Sequence, residues 1–244
     1  MNDWAGKRYW LVGASEGLGR EVAMKLNRMG AEVIVSARSE DRLRALCASL
    51  PGNSSFQTLD VSDMADVTRA YQEIGPVDGV VYLAGVYWPT AAQDWDAAQV
   101  EAMCDINFTG AARVIGVALP DMIKRDAGHV VITGSLSGFR GLPGAVGYGA
   151  SKAGAMYLAE SLYADLRKTG IKVQLINPGF IKTRLTDKND FTMPFIMEPE
   201  AAARHFVEHM QTDGFKRNFP AMFGTMFRLS QFLPDWLYYR VFGK

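Results

Sequence analysis

Short apolar segments alternate with longer segments of helical period along most of this 244-residue chain. The apolar segments are residues 9–12, 32–37, 56–60, 79–84, 129–133 and 172–177. The helical segments are residues 17–29, 39–50, 62–74, 107–124 and 148–169. Strands that alternate with helices of this length are typical of βαβ units, and strands that are apolar throughout are typical of sheets covered on both faces. The pattern predicts one α/β domain over residues 1–244, with a doubly wound, parallel central sheet flanked by helices.

The first apolar segment leads directly into GASEGLG, whose glycines are Gly13, Gly17 and Gly19. Glycine lets the backbone approach a pyrophosphate, whose charge lies at the N-terminus of the following helix. The spacing G-x-x-x-G-x-G differs from the usual G-x-G-x-x-G, but the position between a predicted strand and a predicted helix is the required context. We therefore predict a nucleotide-binding turn in a Rossmann-type domain rather than a purely structural turn.

The end of the second predicted strand favours one cofactor over another. Folds that prefer NAD usually place an acid there to bind the ribose hydroxyls. This chain has Arg38 instead, and no acid before Glu40. A guanidinium is a planar fork that suits a phosphate, so NADP(H) is favoured over NAD(H). The alternative is a solvent-exposed arginine at a strand end.

The sequence YGASK places Tyr148 and Lys152 four residues apart, with only small residues between them. Residues with this spacing lie on the same face of a helix. A lysine cation close to a phenol favours the phenolate, which predicts a lowered Tyr148 pKa and a role in proton transfer. On this fragment alone, an ordinary surface Tyr and Lys are the favoured explanation, because four-residue spacings occur in many helices.

Taken together, the motifs resemble the classical short-chain dehydrogenase/reductase family over most of the chain, from the glycine motif to at least Thr183. Ser135 precedes Tyr148 by 13 positions and Lys152 follows it by 4, which is the spacing in that family. The resemblance implies that the catalytic residues are Asn107, Ser135, Tyr148 and Lys152. It implies, together with Arg38, that the cofactor-binding residues are Gly13, Ser15, Gly17, Leu18, Gly19, Arg38, Asp60, Val61, Ala84, Gly85, Tyr148, Lys152, Pro178, Gly179, Ile181 and Thr183.

The resemblance also implies a role for each catalytic residue. Tyr148 would be the general acid for carbonyl reduction, and Lys152 would lower its pKa and hold the nicotinamide ribose. Ser135 would stabilise the substrate oxygen, and Asn107 would hold a water that links Lys152 to solvent. The expected function is an NADP(H)-dependent oxidoreductase that interconverts a carbonyl and an alcohol on a small or hydrophobic molecule.

Two positions depart from the family pattern. Val12 replaces the usual threonine before the glycine motif, and Tyr82 and Leu83 replace both asparagines at the end of the fourth predicted strand. The second change removes polar groups that brace the sheet and the cofactor turn, so we expect weaker cofactor binding.

Two other functions compete with a carbonyl reductase. A non-catalytic NADP(H)-binding sensor or scaffold would use the same fold, because fold does not imply function. It would not need the intact set of Ser135, Tyr148 and Lys152. A reductase of carrier-bound acyl groups would need a basic docking patch, for which the candidates are Lys124, Arg125, Lys168 and Lys172.

Composition limits the partners and the compartment. The 26 basic and 26 acidic residues balance, so nothing predicts binding to nucleic acid. Cys47 and Cys104 lie far apart without metal-ligand spacing, which indicates a reduced, cytoplasmic chain. His205 and His209 have zinc-like spacing, but no third ligand is evident, so we expect no metal and a solvated helix face. The family resemblance implies a homodimer or homotetramer.

Beyond Arg184 the alternating pattern is lost, and we expect variable structure there. Residues 184–198 form the predicted substrate lid. The substrate pocket is expected to be apolar and to involve Leu136, residues 139–146, Phe180, residues 185–197 and Trp88. Residues 219–244 are rich in aromatic and apolar groups. Core, lid or subunit contact is favoured for them over peripheral membrane contact, because few basic residues accompany them.

Overall fold

Within residues 4–189 and 192–243, which a computed structural model describes, seven parallel strands form one sheet. The strands are β1 (Arg8–Val12), β2 (Glu32–Ala37), β3 (Ser54–Thr58), β4 (Gly79–Tyr82), β5 (Gly128–Thr133), β6 (Ile171–Pro178) and β7 (Lys216–Phe219). The helices are α1 (Gly17–Arg28), α2 (Glu40–Ser49), α3 (Met64–Ile74), α4 (Ala97–Cys104), α5 (Gly110–Arg125), α6 (Val146–Leu166), α7 (Pro199–Met210), α8 (Ala221–Ser230) and α9 (Asp235–Phe242). The strand order is β3-β2-β1-β4-β5-β6-β7, which confirms the doubly wound α/β fold.

The side chains of each strand alternate between two hydrophobic cores, one on each face of the sheet. In β1, Trp10 and Val12 enter the core covered by α3, α5 and α6, whereas Tyr9 and Leu11 enter the core covered by α1, α2 and α7. Because both faces are covered, each central strand is apolar throughout, as the sequence pattern requires. The one polar atom of the Trp10 side chain donates a hydrogen bond to Ser36 Oγ at 2.9 Å.

The strands and helices predicted as far as residue 177 are confirmed, with ends that shift by a few residues. The expected loss of the pattern after Arg184 is wrong, because α7 and β7 continue it and β7 pairs in parallel with β6. The reason is that β7 reads KRNF, a short, polar strand at the edge of the sheet, which has no apolar run. The apolar residues of α7, such as Phe206 and Val207, pack in the same core as α1.

Helices α4 and α5 form one continuous helix, Ala97–Arg125, through a π-helical turn at Asp105–Thr109. In the described part of the chain, this helix alone is long and apolar enough to cross a membrane by length and composition. Its inner face, however, is buried against the sheet through residues such as Val114, Ala118 and Met122. It is therefore a core helix of the fold.

Candidate active site

All of the residues predicted to bind a cofactor line one cleft of about 1080 Å³. The cleft lies at the carboxyl edge of the sheet, where the order of strands reverses between β1 and β4. Ligands of doubly wound sheets bind at this switch point, because the loops on either side of it run in opposite directions. Ser135, Tyr148 and Lys152 line the same cleft, but Asn107 lies behind its wall.

The glycine motif forms a tight turn between β1 and α1. A Cβ atom on Gly13 would lie 2.3 Å from the Ala84 nitrogen, and a Cβ atom on Gly19 would lie 2.2 Å from the Gly13 oxygen. These distances exclude any side chain at either position. Helix α1 begins at Gly17 without a side-chain cap, so its first N–H groups remain available to a bound anion. The turn therefore fits the pyrophosphate of a dinucleotide.

Glu16, the acid within the glycine motif, binds two arginines across the cleft. Its Oε2 accepts a hydrogen bond from Arg42 Nη1 at 2.9 Å, and its Oε1 accepts one from Arg184 Nε at 2.8 Å. Arg42 belongs to α2, and Arg184 follows β6. This contact, which we call the Glu16 clasp, joins three segments that border the cleft. The Glu16 clasp could not be predicted from the sequence, since the partners of Glu16 are distant in sequence.

Arg38 lies where the sequence analysis expected it, at the end of β2 and on the wall of the cleft. Its side chain is exposed, and Ser39 and Arg42 line the wall beside it. Two guanidinium groups therefore border this end of the cleft, although Arg42 also binds Glu16. The region carries the positive charge that a phosphate requires.

Tyr148 and Lys152 lie one turn apart near the start of α6 and face the cleft. Lys152 Nζ lies 5.9 Å from the centre of the Tyr148 ring and donates a hydrogen bond to the Thr133 oxygen at 2.9 Å. Ser135 follows β5, so the loop after this strand brings it to Tyr148. Ser135 Oγ accepts a hydrogen bond from Ser137 Oγ at 2.9 Å.

The pKa of Tyr148 differs from the sequence-based expectation. Burial raises the pKa of Tyr148 to about 12, and only the hydrogen bond with Ser135 acts in the opposite direction. The net shift is therefore opposite to the expected lowering, because burial is the largest influence on this phenol. Burial also lowers the pKa of Lys152 to about 8, because a cation without water around it is destabilised. Tyr148 is thus a protonated acid over the neutral range.

Asn107 lies in the π-helical turn between α4 and α5, a distortion that often marks functional sites. Its Oδ1 accepts a hydrogen bond from the Val86 nitrogen at 2.7 Å, and its Nδ2 donates to the Val86 oxygen at 2.9 Å and to Ser151 Oγ at 2.9 Å. The side chain therefore ties the loop after β4 to α6. This bracing role was not expected, and the water relay stays a prediction.

Tyr82 compensates for part of the departure from the family pattern. Its ring is buried, and its hydroxyl donates a hydrogen bond to the Ile106 oxygen at 2.5 Å, beside Asn107. Gly110 leaves room for this contact, since a Cβ atom there would lie 2.5 Å from the Tyr82 hydroxyl. The expectation that the change simply removes polar support is therefore wrong. Leu83 and Val12, by contrast, have apolar side chains that pack in the cores and border the cleft.

Aromatic side chains form an apolar cluster next to Ser135. Leu136 packs with Phe223 and Phe227 of α8, and Phe180 contacts Phe223 at a ring distance of 6.0 Å. The inner face of α8 is therefore part of a buried cluster, and Leu136, Phe180 and residues 139–146, which the sequence assigned to the substrate pocket, do not line the cleft. The aromatic residues of α8 were not assigned to the pocket from sequence, because the order of the chain does not reveal which face of α8 is buried.

The predicted lid, residues 184–198, contacts the loop after β4. The Tyr87 hydroxyl donates to Asn189 Oδ1 at 2.8 Å, and Lys188 Nζ donates to the Tyr87 oxygen at 2.7 Å. Lys188 also lies 4.3 Å from the centre of the Trp88 ring, and the Tyr87 ring packs edge-on against Tyr148 at 5.0 Å. Asp190 and Phe191 of the lid lie outside the described residues.

Several other candidate residues lie away from the cleft. His209 is buried, so the expected solvated face of α7 is wrong at that position. No group of three His, Cys, Asp or Glu side chains suited to a metal occurs in residues 4–189 and 192–243. Lys124, Arg125, Lys168 and Lys172 lie near the ends of α5 and α6 and the start of β6, at the opposite edge of the sheet. They form no docking patch beside the cleft.

Comparisons with known proteins identify the family of the chain. The family model described as short chain dehydrogenase matches residues 7–193. An uncharacterized oxidoreductase of Myxococcus xanthus is 37% identical over 238 residues, which cover 93% of each chain. The 3-oxoacyl-acyl-carrier-protein reductase of Rickettsia prowazekii is 30% identical and covers 77% of this chain and 78% of its own. A variant of actinorhodin polyketide ketoreductase, solved with NADPH, is 26% identical, covers 89% of this chain and 97% of its own, and superposes with a TM-score of 0.79.

Proposed function

Because the chain belongs to the short-chain dehydrogenase/reductase family of oxidoreductases, we propose that it interconverts a carbonyl and an alcohol with NADP(H), through proton transfer by Tyr148. One observation carries this proposal: Ser135, Tyr148 and Lys152 line the same cleft as the glycine turn. A sensor that only binds the cofactor has no need for an acid, an oxyanion donor and a buried cation at this place.

Each of these side chains has a defined task. The nicotinamide, when bound, supplies the hydride. The Tyr148 hydroxyl gives its proton to the carbonyl oxygen, and the reverse transfer occurs in alcohol oxidation. The Ser135 hydroxyl donates a hydrogen bond to that oxygen and stabilises the developing alkoxide. The cation of Lys152, held at the Thr133 oxygen, offsets the charge that forms on the Tyr148 oxygen.

The preference for NADP(H) over NAD(H) is supported by Arg38 and Arg42 on the wall beside β2. Arg38→Ala is expected to weaken NADPH binding about tenfold, because a charge-assisted hydrogen bond contributes roughly 1.5–3 kcal/mol. NADH binding should not change, and titration of protein fluorescence with each cofactor measures both. Equal losses for the two cofactors would contradict a phosphate contact at Arg38.

The substrate that fits best is a hydrophobic carbonyl compound. This choice is supported by the apolar cluster of Leu136, Phe180 and Phe223, which begins at the residue after Ser135. Reduction of a carrier-bound acyl group is less supported, because the four candidate basic residues lie at the opposite edge of the sheet.

The first test is NADPH oxidation with aliphatic, aromatic, steroid and acyl-thioester carbonyls. Tyr148→Phe removes the proton donor and is expected to lower the rate about a hundredfold or more. Cofactor binding should persist in this variant, which keeps the ring contact with Tyr87. No turnover with any substrate, in a protein that still binds NADPH, would favour the sensor function.

We also propose that the chain is a single-domain cytoplasmic protein that forms a homodimer or homotetramer. Apolar residues on the outer faces of the long helices support assembly, since Ile123 is 55% exposed and Tyr157 is 74% exposed. Tyr157→Glu should shift the mass measured by light scattering towards that of the monomer. An unchanged mass would place the subunit contact elsewhere.

A further inference from the structure

Helices α8 and α9 carry large apolar side chains on their outer surface. In α8, Met222, Met226 and Leu229 follow one another at helical spacing on the exposed face. Phe232, in the turn between the helices, is 80% exposed, and Trp236 in α9 is 68% exposed. Apolar residues scattered singly need no explanation, but an apolar face on two successive helices indicates contact with something other than water.

Contacts on the inner side of α8 and α9 fix the position of both helices, so the exposure of their outer apolar side chains is a property of the fold. Phe223 and Phe227 bury the inner face of α8 against Leu136. Arg140 donates hydrogen bonds to the Ser230 oxygen at 3.1 Å and to the Leu233 oxygen at 2.7 Å, and its guanidinium lies 4.0 Å from the centre of the Tyr238 ring. The turn that carries Phe232 is therefore presented on a fixed support.

The charges on this surface that have no partner of opposite sign are positive. Among residues 221–243, Asp235 is the only acid, and it forms an ion pair with Arg140. Arg228 and Arg240 are exposed, and no ion pair is found for either within the described part of the chain. The surface therefore combines apolar side chains, interfacial aromatic groups and uncompensated positive charge.

These charges select between the possible occupants. In a symmetric dimer the same patch meets itself, and the one acid that residues 221–243 of each copy bring is Asp235, which already pairs with Arg140. An anionic bilayer offers negative headgroups to the arginines and an interfacial layer suited to tryptophan, phenylalanine and tyrosine. We propose that the outer face of α8 and α9 docks reversibly on anionic lipid membranes, with Phe232 and Trp236 entering the headgroup region.

The lid contributes to the same surface. Phe195 is 50% exposed and Ile196 is 42% exposed, and the Phe195 ring lies 5.5 Å from that of Phe223. The apolar surface thus extends from α9 to the segment beside the apolar cluster next to Ser135. Two arginines contribute about 1 kcal/mol each near an anionic surface, so binding should be weak and sensitive to salt.

Co-sedimentation of the full chain with vesicles tests the proposal without any need for catalysis. The protein should bind vesicles that contain phosphatidylglycerol and bind weakly to vesicles of phosphatidylcholine alone. The double variant Phe232→Ser, Trp236→Ser should lose about tenfold or more in partition coefficient, equal to about 1.4 kcal/mol. The matched control is Trp95→Ser, because Trp95 is 55% exposed but lies far from α8 and α9 in sequence; it should bind as the unmodified protein does.

A second pair of variants tests the charges. Arg228→Gln, Arg240→Gln should reduce binding to anionic vesicles about thirtyfold and remove most of its salt dependence. Circular dichroism establishes that each variant is folded. Equal binding by the aromatic variant and the unmodified protein would overturn the proposal. Absence of binding to both kinds of vesicle would also overturn the proposal. A fall in oligomer mass in the aromatic variant, without a change in its vesicle binding, would assign the surface to contact with a second copy of the chain.

Discussion

Lys152 is a buried lysine whose amine has one hydrogen-bond acceptor in the structure, the Thr133 oxygen. Burial lowers the pKa of Lys152 to about 8, whereas burial raises the pKa of Tyr148 to about 12. The two values define a neutral range in which the amine carries a charge and the phenol carries a proton. This is the combination that carbonyl reduction needs, since the proton leaves the phenol as charge forms on its oxygen.

We expect kcat/KM for carbonyl reduction to fall as the pH rises through about 8, because Lys152 then loses its charge. In Lys152→Arg the guanidinium stays charged, so that variant should be slower throughout but should show no fall in this range. Initial rates of NADPH oxidation over pH measure both profiles. The assignment fails if Lys152→Arg keeps the same fall, or if the unmodified protein shows none up to the ordinary lysine pKa of 10.5.

Tyr82 gives a second prediction for a single side chain. Tyr82→Phe removes the hydrogen bond to the Ile106 oxygen, and such a bond contributes about 0.5–1.5 kcal/mol. The free energy of unfolding, measured with urea, should fall by that amount. Tyr239→Phe is the control, because that side chain is 53% exposed; it should change the value by less than about 0.5 kcal/mol. Equal effects of the two changes would contradict the bracing role.

The positions of Ser135, Tyr148 and Lys152 in the cleft could be predicted from the family resemblance, because their spacing matches the family pattern. The pKa values could not, because they depend on burial by residues far away in sequence. The compensation by Tyr82 was missed for the same reason. The sequence shows that an asparagine is replaced, but only the structure shows that the tyrosine hydroxyl reaches the π-helical turn.

At the level of elements, a buried polar group ties three strands together at the edge opposite the cleft. The Tyr9 hydroxyl lies 3.0 Å from His129 Nδ1, and His129 Nε2 lies 2.9 Å from Gln174 Oε1. Gln174 Nε2 donates to the His209 oxygen, so Oε1 is the acceptor and His129 Nε2 carries the proton. The histidine is therefore neutral and connects β1, β5 and β6.

This arrangement predicts how stability depends on pH. Burial, with Lys172 and His209 nearby, lowers the pKa of His129 from 6.5 to about 3. Between these two pH values the unfolded chain therefore binds a proton that the folded chain does not. The contribution of His129 to the free energy of unfolding is fully present above pH 6.5 and falls as the pH decreases towards 3. One such group contributes a slope of about 1.4 kcal/mol per pH unit.

Urea unfolding at a series of pH values measures that slope. His129→Gln removes the ionisable group while it retains a polar side chain, so its stability should depend less on pH by about one proton between about pH 4 and 6. The variant should also be less stable than the unmodified protein at neutral pH. Parallel curves for the two proteins would assign the acid sensitivity to other groups.

The central strands were easy to predict because each is an apolar run buried on both faces. The edge strand β7 was difficult to predict, since it is short and polar. Its pairing with β6 stabilises it, and its own composition does not indicate a strand. Helix α7 was predicted only as a solvated helix face at His205 and His209, although its apolar residues have helical spacing. His209 is buried by packing that its own sequence neighbourhood does not specify.

At the level of the whole molecule, the strand order brings the glycine turn after β1 and the loop after β4 to the same point. Residues distant in sequence then line one cleft, among them Asp60, Gly85 and Pro178. The family pattern predicted this gathering because topology fixes where the loops meet. It did not predict which outer surface of α8 and α9 remains exposed, since that depends on tertiary contacts of Arg140.

The Glu16 clasp has a kinetic consequence. Glu16 and Arg184 both border the cleft, so a dinucleotide that departs on that side leaves more slowly while they remain joined. Salt weakens exposed ion pairs and also screens the capture of an anion. We expect added salt to raise kcat, where cofactor release limits turnover, and to lower kcat/KM for NADPH. Glu16→Gln should abolish the rise in kcat and keep the fall in kcat/KM for NADPH. Identical responses of the two proteins to salt would mean that the Glu16 clasp does not slow the release of the cofactor.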